Sequence, residues 1–105
     1  MTNKRIVLTT AGSQSEARKL ARALVQRKLA ACVNIVPGVE SIYRWQGQVH
    51  NSQEWLLVIK TAETKAKAVG ELIRKVHSYD LPECLVLTIE GGNKEYLKWL
   101  EDGLK

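Results

Sequence analysis

The stretch from Ala30 to Trp45, AACVNIVPGVESIYRW, constrains this chain more than any other. An extended segment of that length is about three times the usual strand of ~5–6 residues, more than a small domain can cover with its own atoms. Pro37-Gly38 interrupts it. Proline cannot donate to a strand ladder, so the pair predicts a bend or bulge in an edge strand and excludes a central one. Beyond the bend Ser41, Tyr43 and Trp45 fall on one face, and Ile42, Arg44 and Gln46 on the other. Two aromatics on the far arm of an overlong strand need another surface to pack against, and the nearest is a second copy of the protein. The expectation is a strand that leaves its own body to build an oligomer.

Length and composition narrow the rest. With 105 residues and 45% apolar content, the chain reads as one domain over residues 1–105, able to bury roughly two-thirds of its unfolded surface. No apolar run approaches the ~20 residues of a membrane helix. The basic start MTNKR leads into a short strand and not into a signal-peptide core, so a cytoplasmic protein is expected. Cys32 and Cys84 stand in no CxxC or other close metal spacing and read as free thiols. Sixteen basic against eleven acidic residues give a net charge of +5. Arg18, Lys19, Arg22, Arg27 and Lys28 share one predicted helix with no interleaved aromatic, which reads as a solvated face and not as a nucleic-acid surface.

Lys4 to Thr10 reads as a short strand, followed by a turn at Ala11-Gly12. Ser13-Gln14-Ser15-Glu16 fits a capping box that opens a first helix with an apolar stripe at Ala17, Leu20, Ala21, Leu24, Val25 and Leu29. The long strand from Ala31 reverses at Gln46-Gly47-Gln48 into a third strand, Asn51 to Thr61, that is apolar on both faces and so largely buried. A second helix runs from about Ala62 to Val76, with Ala62, Ala66, Val69, Ile73 and Val76 inward, and Pro82 closes the connection that follows it. Cys84 to Glu90 is a fourth strand, and Asn93 caps a short final helix in which Tyr96 and Trp99 read as core. The order is βαββαβ plus a terminal helix. VLTTA before the first helix echoes VIKTA before the second, so each half reads strand, helix, strand. Interleaved, the halves make an α+β ferredoxin-like sandwich, with both helices on one face of a four-stranded antiparallel sheet and the other face open. An open, half-apolar face predicts self-association.

Five segments carry a family likeness: Ala31-Cys32-Val33-Asn34, SIYRWQG from Ser41, EWLLVIKT from Glu54, HSYDLPE from His77, and YLKWL from Tyr96. In this order and spacing, over nearly the whole chain, they closely resemble those of the CutA family of divalent-cation tolerance proteins. The resemblance implies a ferredoxin-like subunit, a tight homotrimer built through the long hairpin of the second and third strands, and an architecture like that of the signalling protein PII. It also implies a role in tolerance to copper and other divalent metals. Copper-binding members place a cysteine at the end of the first strand and two adjacent histidines ahead of the tyrosine-containing loop; here those positions hold Thr9, Val76 and His77. One imidazole rarely makes a selective copper site. Weak binding of copper or another divalent cation is therefore expected, with His77 and the soft thiolate of Cys32 as candidate ligands. Against this, His77 also suits the last turn of the second helix, where an imidazolium favours the helix dipole. Cys32 also suits a small buried core position.

A second set is unusual for its positions. Lys60 ends an otherwise apolar strand, Glu54 opens it, and Tyr43, Trp45, Tyr79 and Glu83 lie in the family-like segments. Together they predict a polar pocket at each subunit boundary that takes a small anion or acidic metabolite. A buried ammonium is costly unpaired, so Lys60 must reach water or meet a carboxylate such as Glu54 or Glu83, which makes an intersubunit salt bridge the alternative. Catalysis is poorly supported. Cys32 and His77 have no orienting third group, there is no nucleophile elbow or phosphate-binding loop, and the Thr10 to Ser15 turn offers no arginine. An RNA-recognition domain is excluded by a fourth strand, CLVLTIE, without a stacking aromatic. The reading is a trimeric, metal-responsive binding or PII-like signalling module, and the alternative is a small-molecule enzyme of unknown reaction using the pocket.

Overall fold

A computed structural model describes all 105 residues. Its elements are β1 (Lys4–Ala11), α1 (Gln14–Gln26), β2 (Cys32–Trp45), β3 (Gln48–Ala62), α2 (Glu63–Val76), β4 (Leu85–Thr88) and α3 (Lys94–Asp102). The strands form one antiparallel sheet in the order β2-β3-β1-β4. Each strand-helix-strand half thus brackets a strand of the other, as the internal echo predicts. No helix is long and apolar enough to cross a membrane.

Strand alternation decides the two faces. Val7, Thr9 and Ala11 of β1 lie beside Ile59, Leu57 and Trp55 of β3, and against this face pack Leu20 and Leu24 of α1 with Val69, Leu72 and Ile73 of α2. Each such fully buried branched side chain contributes ~1.5–3 kcal/mol over its exposed state. Leu72 joins this core although helical spacing had placed only its neighbours inward. Ser13 caps α1 by accepting from the Glu16 amide at 3.1 Å, but the box is half made. The Glu16 carboxylate turns instead toward His77, 3.4 Å away. Arg18, Lys19, Arg22, Arg27 and Lys28 are all exposed, as a solvated face should be.

The opposite face carries Ile6 and Leu8 of β1, Leu56, Val58 and Lys60 of β3, Val36 of β2, and Leu85 and Leu87 of β4. It is not wholly open. Leu100 and Leu104, at the end of α3 and just beyond it, pack on Ala62 and Ala31 and cover one end of the face, while Val36, Leu85 and Leu87 remain exposed. Tyr96 and Trp99, expected in the core, lie exposed on α3 because Leu100 and Leu104 make the docking contact.

The hairpin of β2 and β3 is the longest feature, in a molecule of 44 × 25 × 23 Å. β2 is an edge strand, and its register shifts between Val36 and Val39, where Gly38 takes φ 71°. That bulge at Pro37-Gly38 re-aims the outer arm. Gln46 and Gly47, both at positive φ, close a two-residue turn between Trp45 and Gln48, the geometry that matches strand twist. β3 therefore begins at Gln48, three residues before the alternation in its sequence becomes apolar. Ile42 and Val49 on the arm are 67% and 65% exposed. β4 is shorter than its apolar run: its pairing with β1 extends only from Leu85 to Thr88.

Candidate functional site

Where the arm leaves the body, a cleft of about 740 Å³ opens between it and the loop joining α2 to β4. Its walls include Tyr43 and Trp45 from the arm, Glu54 from β3, and Tyr79, Asp80 and Glu83 from the loop. Five of the six residues expected to share a pocket are thus brought together. Asp80 was not singled out, although it sits in the same loop motif. Alternation explains the arm side: Tyr43 pairs with His50 and Trp45 with Gln48, on the face that also carries Glu54 opposite Val39. The Tyr43 hydroxyl lies 2.9 Å from Ser52 Oγ, and its ring stacks on His50 with centroids 5.8 Å apart.

The loop side is built around His77, which leaves the helix at φ −68°, ψ 142°. Its buried ring does not turn back to the carbonyls of α2. Nε2 donates to the Thr10 carbonyl at 2.6 Å, and Nδ1 accepts from the Tyr79 amide at 3.0 Å. This pairing puts both ring nitrogens in use, and leaves Glu16 Oε1 buried without a hydrogen bond. Tyr79 is thereby aimed across the end of β1, and its hydroxyl donates to Glu54 Oε2 at 2.8 Å. Gly12 makes room for it, since a Cβ there would stand 2.9 Å from that hydroxyl.

The cleft is acidic. Glu54, Asp80 and Glu83 line it, and no Lys, Arg or His does. Burial, then the charge of Glu54, pushes the Glu83 carboxyl above its ordinary range. Burial and the bond to Glu54 raise the Tyr79 phenol likewise, so it stays a donor. The lining is thus opposite in sign to what an anion or acidic metabolite requires.

Lys60 does not belong to the cleft. Its Nζ lies 3.3 Å from the Tyr96 hydroxyl and 5.5 Å from that ring's centroid, on the face partly covered by α3, and it meets neither Glu54 nor Glu83. The ammonium is satisfied by an aromatic neighbour and partial exposure in place of a carboxylate. Cys32, expected in the core as one alternative, is only half-buried, on the same face beside Lys60, with its thiol 3.9 Å from Asn34 Oδ1. His77 meets β1 at Thr10, which pairs with Leu56, four residues along β3 from Lys60. That spacing is ~13 Å, so Cys32 and His77 cannot share an ion within one subunit. No group of three His, Cys, Asp or Glu is placed to hold a metal ion.

The family model for the CutA1 divalent ion tolerance protein matches residues 5–103. The chain belongs to the CutA1 family. It is 50% identical over 97 residues to the divalent-cation tolerance protein CutA of Thermus thermophilus, covering 92% of this chain and 94% of that protein. It is 44% identical over 100 residues to the chloroplastic protein CutA of Arabidopsis thaliana, covering 95% of this chain but 55% of the plant protein, so it spans about half of that relative's length. The crystal structure of CutA from Xylella fastidiosa superposes with a TM-score of 0.96 at 35% identity, covering 99% of this chain and 100% of that one.

Within this CutA1 fold the positions of the copper-site resemblance do not converge as ligands. Thr9 is fully buried on the helix-covered face of β1, and its hydroxyl finds no partner. Val76 packs against the same core. His77 holds the loop. The residues present therefore do not fit the three-ligand copper site.

Proposed function

We propose that this chain serves divalent-cation tolerance as a homotrimeric CutA1 protein, acting as a metal-responsive binding or signalling module. The observation that carries the reading is the match of the family model across residues 5–103, with relatives named for divalent-cation tolerance at up to 50% identity. The fold supports the trimer. An uncovered apolar sheet face and an arm with exposed Ile42, Tyr43, Trp45 and Val49 are surfaces that a lone subunit leaves in water, and obligate interfaces are built from such surfaces. Copper or another divalent cation binds weakly in this reading. Of the two candidate ligands, the half-exposed Cys32 thiol is the available soft donor, whereas His77 binds a metal only by giving up a hydrogen bond. Two free thiols, Cys32 and Cys84, suit a reducing compartment such as the cytoplasm. The alternative, an enzyme working in the pocket, draws no support from relatives named for tolerance.

Expression in bacterial cells that lack their own CutA1 and are copper-sensitive tests the reading. The chain should restore growth in copper, and a variant with charged residues at Ile42 and Val49 should not. Failure of the unaltered, folded chain to restore growth would refute the tolerance role.

A further inference from the structure

We infer that the outer face of α1 and α2 is a docking surface for an acidic polypeptide segment of a partner protein. The inference rests on the trimer reading only for the outward placing of this face: both helices pack on the side of the sheet opposite the uncovered apolar face, and neither belongs to the arm.

The positive charge of the chain is concentrated here. The five basic residues of α1 and the turn after it, from Arg18 to Lys28, are joined on this layer by Lys65, Lys67, Arg74 and Lys75 of α2. Nine basic residues thus stand against three acidic ones, Glu16, Glu63 and Glu71, whereas the other parts of the chain hold seven basic and eight acidic residues. Two of the three carboxylates turn off the face. Glu16 lies 3.4 Å from His77, and Glu63 accepts from Arg5 of β1 at 3.0 Å. Among the nine cations Lys65 is half-buried and donates to the carbonyls of Lys28 and Leu104. The other eight are exposed, and none forms an ion pair within the subunit. Residues four apart share a side of a helix, so Arg18 stands beside Arg22, and Lys67 and Lys75 flank Glu71. One free carboxylate among eight free cations leaves a field that an acidic partner complements.

What the face lacks selects the partner. Neither helix carries an aromatic residue, so the bases of a nucleic acid have nothing to stack on. Val25 is the one bulky apolar side chain exposed on these helices, too little to anchor in a bilayer. A membrane plane would also meet only one of three faces directed away from a three-fold axis. A flexible acidic segment reaches each of them, and its carboxylates take charge-assisted hydrogen bonds from arginine and lysine.

Fluorescence anisotropy of a labelled glutamate-rich peptide with the intact oligomer tests the face. A glutamine-rich counterpart, a single-stranded oligonucleotide and phosphatidylserine vesicles are measured in parallel. The expected result is saturable binding of the glutamate peptide, tighter than that of the other three and lost at ~1 M salt, where the Debye length falls to ~3 Å. Arg18→Glu with Arg22→Glu should weaken it by about tenfold or more, whereas Lys94→Glu with Lys105→Glu, an equal change of net charge at exposed positions off this layer, should weaken it less than about twofold. Glu71→Gln should tighten binding by about twofold, a gain that loss of folding cannot produce. Native mass spectrometry reads the oligomer of each variant and of the unaltered chain separately, so a failure of the trimer is not mistaken for a failure of the face. Absence of peptide binding to the folded chain, equal weakening by the two charge-reversal pairs, tighter binding of the oligonucleotide or the vesicles, or dissociation caused by the change at Arg18 and Arg22 would each overturn the proposal.

Discussion

The Tyr79 hydroxyl donates to Glu54 Oε2 at 2.8 Å and so ties the loop after α2 to the base of the hairpin arm. These residues are 25 apart in sequence, and their bond closes one wall of the acidic cleft. Tyr79→Phe removes the donor and leaves a buried carboxylate with less compensation, at a cost of ~1.5–3 kcal/mol for a bond to a charged group. Urea denaturation should show this loss, and Tyr79→Phe should cost much less in a Glu54→Gln background. Equal costs in both backgrounds would mean that the bond does not carry the effect.

Gly12 is required by the same contact. A Cβ at 2.9 Å from the Tyr79 hydroxyl must displace it, and the displaced end can no longer reach Glu54. Gly12→Ala should therefore destabilise the protein by about as much as Tyr79→Phe, within ~1 kcal/mol, and the two changes should not add. Additive losses in a double-mutant cycle would place the cost of Gly12→Ala elsewhere.

The fold was largely legible because its signals are local. Ser13 as a cap, Pro37-Gly38 as a bulge and Gln46-Gly47 as a reversal each act through the backbone of their own segment, and each appears where the residues place it. The site was legible in part. Tyr43, Trp45 and Glu54 are set by strand alternation and register, whereas Lys60 could not be placed without knowing that α3 folds back over one end of the sheet and offers Tyr96. The bond from His77 to Thr10 was hidden for the same reason: Thr10 lies 67 residues away, and nothing in the local pattern at Val76-His77 points to it. Glu16 gave a misleading signal. Its spacing from Ser13 fits a reciprocal cap, but tertiary packing turns its carboxylate toward the imidazole.

His77 should therefore behave as a structural clasp more than as a ligand. His77→Ala strands the Thr10 carbonyl and the Tyr79 amide and should cost ~1–3 kcal/mol in thermal or urea unfolding. Copper affinity measured by calorimetry should fall less in this variant than in Cys32→Ser. The reverse order would make the imidazole the principal metal donor.

The raised carboxyl of Glu83 sets a pH dependence whose sign follows from linkage. Its folded-state value lies above the unfolded one, so its favourable contribution is complete below the unfolded value of ~4.3 and is lost as pH rises through the higher folded value. At neutral pH it is a net penalty. Glu83→Gln should raise the melting temperature at pH 7, and the gain should vanish as pH falls below ~4. Glu101 and Asp102, held below their ordinary range by hydrogen bonds from Lys4 and Lys98, lose stability on acidification in both proteins, so the difference between the two melting curves is the quantity to follow. A gain that grows on acidification would contradict the assignment.

The central claim is that the uncovered sheet face and the arm are completed by two further copies of this chain. Native mass spectrometry at low micromolar concentration tests it most directly. The account predicts a single species at three times the 11.8 kDa subunit mass, persisting on dilution, and a monomer as the dominant species would contradict it.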